Sequence, residues 1–160
     1  MRRSFFIVVF CFYQICTSVA QKSVNGHFQY RTECLGVEQD GTQTLMAWGK
    51  GRNRFDAIDQ AKKNALYDVI FNGIRDGTGG CDLRPLVPEV NARRKYEEFF
   101  DSFFIDKGAY ETYVSMEDEK ISQRFLRNRA KIQDEVTHGF VIRVLRPSLR
   151  TFLKEQKIIR

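Results

Sequence analysis

Cysteines, histidines, runs of carboxylates and a lysine between two glycines are the residues of this chain with chemistry to offer. Cys11 and Cys16 fall in an apolar N-terminal stretch, which leaves Cys34 and Cys81 for the body of the protein. An even pair in an exported chain predicts a disulfide, the other reading being two separate buried thiols. Zinc asks for four ligands at short, regular spacings. No such spacing gathers His27 and His138 with the cysteines, so neither a metal nor another cofactor is expected. His138-Gly139, after Glu135-Val136-Thr137, reads as a hairpin turn, not as a general base. Glu97-Glu98 and Glu117-Asp118-Glu119 are adjacent carboxylates that point apart, whereas glycoside hydrolysis needs two converging on one bond. No catalytic residue is assigned. Gly49-Lys50-Gly51 lacks the spacing and the hydroxyl residue of a phosphate loop. What it leaves is a weak anion site, Lys50, Arg52 and Arg54 beside the free N–H groups of a helix start.

The elements that position these residues begin after a leader. Arg2 and Arg3 precede an apolar run from Phe5 to Cys16, and Ser18 and Ala20 present the small side chains that signal peptidase accepts. The run is about a dozen residues, short of the roughly 20 that span a bilayer. Residues 1–20 therefore read as a cleaved signal peptide, and the mature chain as periplasmic or secreted with no transmembrane segment. Ile15 before Cys16 is not the small residue of a lipoprotein box. Removing 20 of the 160 residues leaves 140, enough for one domain with a substantial core. Losing Arg2 and Arg3 lowers the net charge from +6 to +4, modest for nucleic-acid binding. Clusters at Arg93-Arg94-Lys95 and from Arg124 to Lys131, with Phe125 between, resemble such surfaces in composition only, and no nucleic-acid partner is expected.

Residues 21–26 read as a flexible lead and 27–160 as a single α+β domain. Phe28, Tyr30, Thr32 and Cys34 alternate with polar neighbours, the pattern of a half-buried strand. Asp40-Gly41 turns the chain into a returning strand over 42–50. Asn53 caps a long helix over 54–74, with Ala57, Ala61, Ala65, Val69 and Gly73 at every fourth place. Glycines and prolines make 75–88 a loop. A second long helix over 88–105 carries Tyr96, Phe99, Phe100, Phe103 and Phe104 on its inner face. Strands are predicted at 110–114 and 140–145, with a strand favoured for the ambiguous stretch 116–137. Pro147 opens a short C-terminal helix. The sum is a small antiparallel sheet of four to five strands packed by two long helices and a terminal one.

Ala47-Trp48-Gly49-Lys50-Gly51, followed by Ala57, Ala61, Ala65 and Leu66, is similar to the N-terminal domain of the flagellar T-ring protein and related small bacterial envelope lipoproteins. The resemblance covers about 30 residues and implies a helix laid closely on a small sheet, a role in envelope assembly and another envelope protein or component as partner. It assigns no site residues. The expectation is a non-enzymatic exported module. The alternatives are a small secreted hydrolase whose site is assembled from distant residues, or a carrier of an apolar ligand walled by the Phe-rich helix. Intact-mass measurement of protein recovered from its native compartment should find Gln21 at the N-terminus. A mass that retains residues 1–20 refutes the leader.

Overall fold

The computed structural model describes residues 31–116, 129–132 and 135–160. The leader, the lead, the first strand's opening at 27–30, His27, Glu117-Asp118-Glu119 and Phe125 lie outside the described residues.

Within them the chain is α+β. Strand β1 (Glu33–Val37) pairs antiparallel with β2 (Gln43–Gly51). The turn between them closes on Glu38 N–H to Thr42 O at 2.8 Å, with Gly41 at φ 83° and the Asp40 carboxylate accepting from both the N–H and the hydroxyl of Thr42. Of Asp40 and Gly41, only the glycine takes a positive φ. A bulge between Cys34 and Gly36 shifts the register. Strand β3 (Asp76–Gly77) adds a short parallel pair to β1, where the sequence led us to expect antiparallel pairing throughout. Strand β6 (Glu135–Val144) lies antiparallel along the whole of β2, and its other edge is shared by β4 (Val114–Ser115) and β5 (Arg129–Ile132). The sheet order is β3-β1-β2-β6-β4, six strands with β5.

Alternation along the strands sends Cys34, Leu45, Ala47, Phe140, Ile142 and Val144 into one core cluster, together with the buried faces of the helices. Helix α1 (Arg54–Tyr67) starts at Asn53, whose side chain accepts from Asp56 N–H at 2.9 Å. Its Ala57, Ala61, Ala65 and Leu66 are fully buried. The contact is close because Gly49 and Gly51 of the strand beneath have no side chains to interpose. A Cβ on Gly49 would lie 1.8 Å from Ala57 O, and one on Gly51 2.6 Å from Ala57 N. The glycines around Lys50 are thus a helix–strand seam. Beyond Tyr67 the helix widens into a π-helical turn, Asp68–Asn72, instead of running on to residue 74. Thr32 Oγ1 and Asn72 Nδ2 both donate to the Asp68 carboxylate, and Gly73 N–H reaches Asp68 O at 2.7 Å, so polar side chains clamp the wider turn.

The second long helix of the sequence reading is two pieces, α2 (Ala92–Lys95) and α3 (Glu97–Phe104), bent at Tyr96 with φ −114° and ψ 38°. Tyr96 is bonded on both sides of the bend, its N–H donating to Ala92 O and its carbonyl accepting from Phe100 N–H, each at 3.0 Å. Phe100 and Phe103 are buried, and the rings of Phe71, Phe99, Tyr113 and Phe152 pack within about 6 Å of them. The strand expected over 110–114 is a 3₁₀ turn at Ala109–Tyr113, and only Val114 and Ser115 join the sheet. The anchor is Tyr110, fully buried and donating to Asp59 on α1. His138-Gly139 is not a turn but the middle of β6, where Gly139 lies opposite Trp48 and a Cβ would come within 3.2 Å of its ring. Helix α4 (Arg146–Glu155) carries Pro147 in its first turn and buries Leu149 and Leu153.

Replacing Gly49 by Ala should cost about 3 kcal/mol, and Ala65→Leu about 1–3 kcal/mol, because both force side-chain atoms into the seam. Lys62→Gln, on the polar side of α1, should stay within about 0.5 kcal/mol. Urea melts of the three variants against the parent decide it. A parent-like Gly49→Ala removes the seam.

Candidate functional site

Two polar groupings stand out on the helical side. The first joins α1 to the 3₁₀ turn. Lys63 Nζ lies 2.9 Å from Asp59 Oδ2 and 2.5 Å from Asp106 Oδ1, and 5.3 Å above the Tyr110 ring, whose hydroxyl donates to Asp59. Burial pushes the Tyr110 phenol up from its usual value, and the neighbouring Asp59 carboxylate adds to the rise. Burial would raise the Asp59 carboxyl too, but the Tyr110 hydroxyl and the Lys63 ammonium outweigh it and hold it below the ordinary range. The arrangement docks one element on another.

The second grouping is a cleft of about 890 Å³ between the 82–89 loop and the C-terminal helix and tail. Its near wall is strapped to the end of α1. Leu86 and Val87 donate backbone N–H groups to Val69 O and Ile70 O at 3.0 and 2.8 Å, filling carbonyls that a helix end leaves orphaned. The bond Cys34–Cys81, with 5.8 Å between Cα atoms, ties the start of the loop to β1. Asp82 accepts from Arg84 N–H at 2.9 Å and from Arg146 Nη2 at 2.8 Å. The far wall is α4 and its terminus. Arg146 and Arg150 sit one turn apart. Beyond the helix Lys157, at φ 59°, reverses the chain, and Lys157 and Ile158 return N–H groups to Lys154 O and Leu153 O at 2.9 Å each. This is a Schellman terminus with the buried Ile158 over Leu153, and it lays the tail along the cleft.

Six cations line the space, Arg84, Lys95, Arg146, Arg150, Lys157 and Arg160, against the carboxylates of Asp82 and Glu89. Arg146 pairs with Asp82, and Lys95 with Glu89 at 2.7 Å. The other four have no acidic partner among the described residues. Arg146 is the anchor. Its side chain is only 13% exposed, Nη2 also reaches Arg84 O at 3.0 Å, and Nη1 is buried with no hydrogen-bond partner. Burial pulls its pKa down and Asp82 works against that pull. The Arg84 N–H, and then the Arg146 guanidinium, hold the Asp82 carboxyl below its usual value. A buried donor left unmade is costly, and an anion in the cleft beside Arg146 would offset that cost through its charge.

The residues singled out from sequence fall elsewhere. Arg52 and Arg54 are exposed at the start of α1, whose first-turn amides already face Asn53 and the acidic Asp56, and Lys50 lies on β2. Cys34 and Cys81 come together as a disulfide. His138 lies in β6 with its ring 5.9 Å from that of Phe140. Arg93 is paired to Asp101. Among the described residues no group of three or more His, Cys, Asp and Glu is placed to hold a metal, and no helix is long and apolar enough to cross a membrane. Reasoning from sequence missed the cleft. Its available signal was the four-residue spacing of Arg146, Arg150 and Lys154. No family model, curated protein or solved structure matches the chain.

Tyr110→Phe should cost about 1 kcal/mol through the lost hydrogen bond to Asp59. Asp59 has its carboxyl lowered by folding, so its contribution is present above the ordinary value of 3.8 and fades as pH falls through the folded value. Asp59→Asn should therefore flatten the acid limb of stability below about pH 4. Melts across pH test both, and an unchanged acid limb excludes the role given to Asp59.

Proposed function

We propose that this chain is an exported, non-enzymatic module of a bacterial envelope that docks an anionic component in the cleft between the 82–89 loop and α4. The observation that carries the reading is the Arg146 guanidinium, mostly buried, with no hydrogen-bond partner at Nη1 and surrounded by cations that lack acidic partners among the described residues. Like charges gathered around one space repel and weaken the fold, a cost that a bound anion offsets. A disulfide and the absence, among the described residues, of a membrane-crossing helix are compatible with a place outside the cytoplasm. The leader and the likeness to flagellar T-ring and envelope lipoprotein domains support the envelope assignment.

Thermal melts in citrate against chloride at equal ionic strength test the docking. Citrate should raise the melting temperature by about 3 °C, as expected for a ligand near ten times its dissociation constant, and Arg150→Ser should abolish most of the rise. An equal rise in parent and variant locates anion binding elsewhere and overturns the reading.

A further inference from the structure

A second depression adjoins the cleft at Glu89. It has about 710 Å³ and shares with the cleft the wall of Val87, Pro88 and Glu89. It runs past Tyr67 and Phe71 to Val90, Arg93 and Arg94. Val90 is 83% exposed and Tyr67 40%, so apolar side chains face the solvent at this end. At the junction stands the Lys95–Glu89 pair, with both side chains about half exposed. An exposed pair of this kind is weak enough to exchange Glu89 for a ligand's carboxylate. The two adjoining depressions therefore offer an apolar end and a cationic end on either side of their shared wall.

Two kinds of ligand carry that sequence of chemistry, an anionic lipid and a peptide in which acidic residues follow apolar ones. The walls distinguish them. Around Val90 and Phe71 stand Glu89, Arg93, Arg94 and Glu97. An acyl chain needs an apolar sleeve along its length, and these charges would lose water without gaining a partner. An extended peptide presents side chains alternately to two sides and brings its own polar backbone, which suits a mixed wall. Resting on the reading of the cleft as an anion site, the geometry points to an extended acidic peptide as the partner. Its carboxylates lie among Arg84, Arg146 and Arg150, and an apolar side chain packs on Val90 and Phe71.

Fluorescence anisotropy tests this with a labelled synthetic peptide of leucines followed by glutamates, and with a control in which serines replace the leucines. Val90 is exposed, so Val90→Ser leaves folding intact. It should weaken the leucine peptide about fivefold and leave the serine peptide unchanged, while Arg150→Ser weakens both about tenfold. If Arg150→Ser acts on both and Val90→Ser on neither, the apolar depression is not used and the inference falls alone. If Arg150→Ser acts on neither, the anion site itself falls and takes the inference with it. Capture of the protein by phosphatidylglycerol-containing vesicles, with no binding of the leucine peptide, overturns the peptide in favour of a lipid.

Discussion

The carbonyl oxygen of Ala57 occupies the space where a side chain on Gly49 would begin. Helix α1 can rest on β2 only at that depth, and its depth sets the rest of the helical layer. Ala57, Ala61 and Ala65 follow, since larger side chains would lift the helix from the strand. With α1 so low, its far end delivers the Val69 and Ile70 carbonyls to the level at which the 82–89 loop crosses, and the loop takes them as hydrogen-bond partners. On the other flank the same depth lets Asp59 reach the hydroxyl of Tyr110 and turn what would be a strand into a 3₁₀ anchor. One helix–strand distance thus propagates to both sides of the molecule.

The cleft is where the propagated geometry meets charge. Its near wall hangs from the end of α1 and from Cys34 through the disulfide. Its far wall depends on a helix terminus that reverses at Lys157 without a glycine. Arg146 bridges the two, binding Asp82 and the Arg84 carbonyl with one nitrogen. Folding here encloses a guanidinium and leaves its Nη1 without a hydrogen-bond partner, which costs desolvation that the fold must carry.

The hairpin, the first helix and the cysteine pair were legible in the sequence, because each rests on a simple rule: alternation, a cap with a period of four, and an even pair of cysteines outside the apolar N-terminal stretch. The alanine stripe also told of close packing, although the glycines beneath it first read as a possible anion loop. The elements that misled are those in which a distant contact overrides a local preference. Tyr110 lies in a stretch of strand-forming residues but is captured by Asp59, 51 residues away. Gly139 looks like a turn residue until Trp48 is placed over it. The helix over 88–105 carries its aromatic period unbroken through Tyr96, yet its backbone bends there. The cleft was invisible for the same reason, since Asp82 and Arg146 stand 64 residues apart and neither belongs to a motif.

The covalent bond between Cys34 and Cys81 spans a sequence separation of 47 residues, and β2, α1 and β3 all lie within the ring it closes. A pull applied to the two sides of the domain, at residue 31 and at residue 160, enters the ring at Cys34 and leaves it at Cys81. The tension crosses through the sulfur atoms and bypasses the peptide backbone between them. The backbones of the return strand and the first helix are therefore off the covalent path, which beyond Cys81 runs through the 82–89 loop and on to the C-terminal helix, the two walls of the cleft. A backbone cut within the ring likewise leaves a single covalent molecule. The seam between α1 and β2 thus lies inside a closed covalent ring, while both walls of the cleft lie on the open segment outside it.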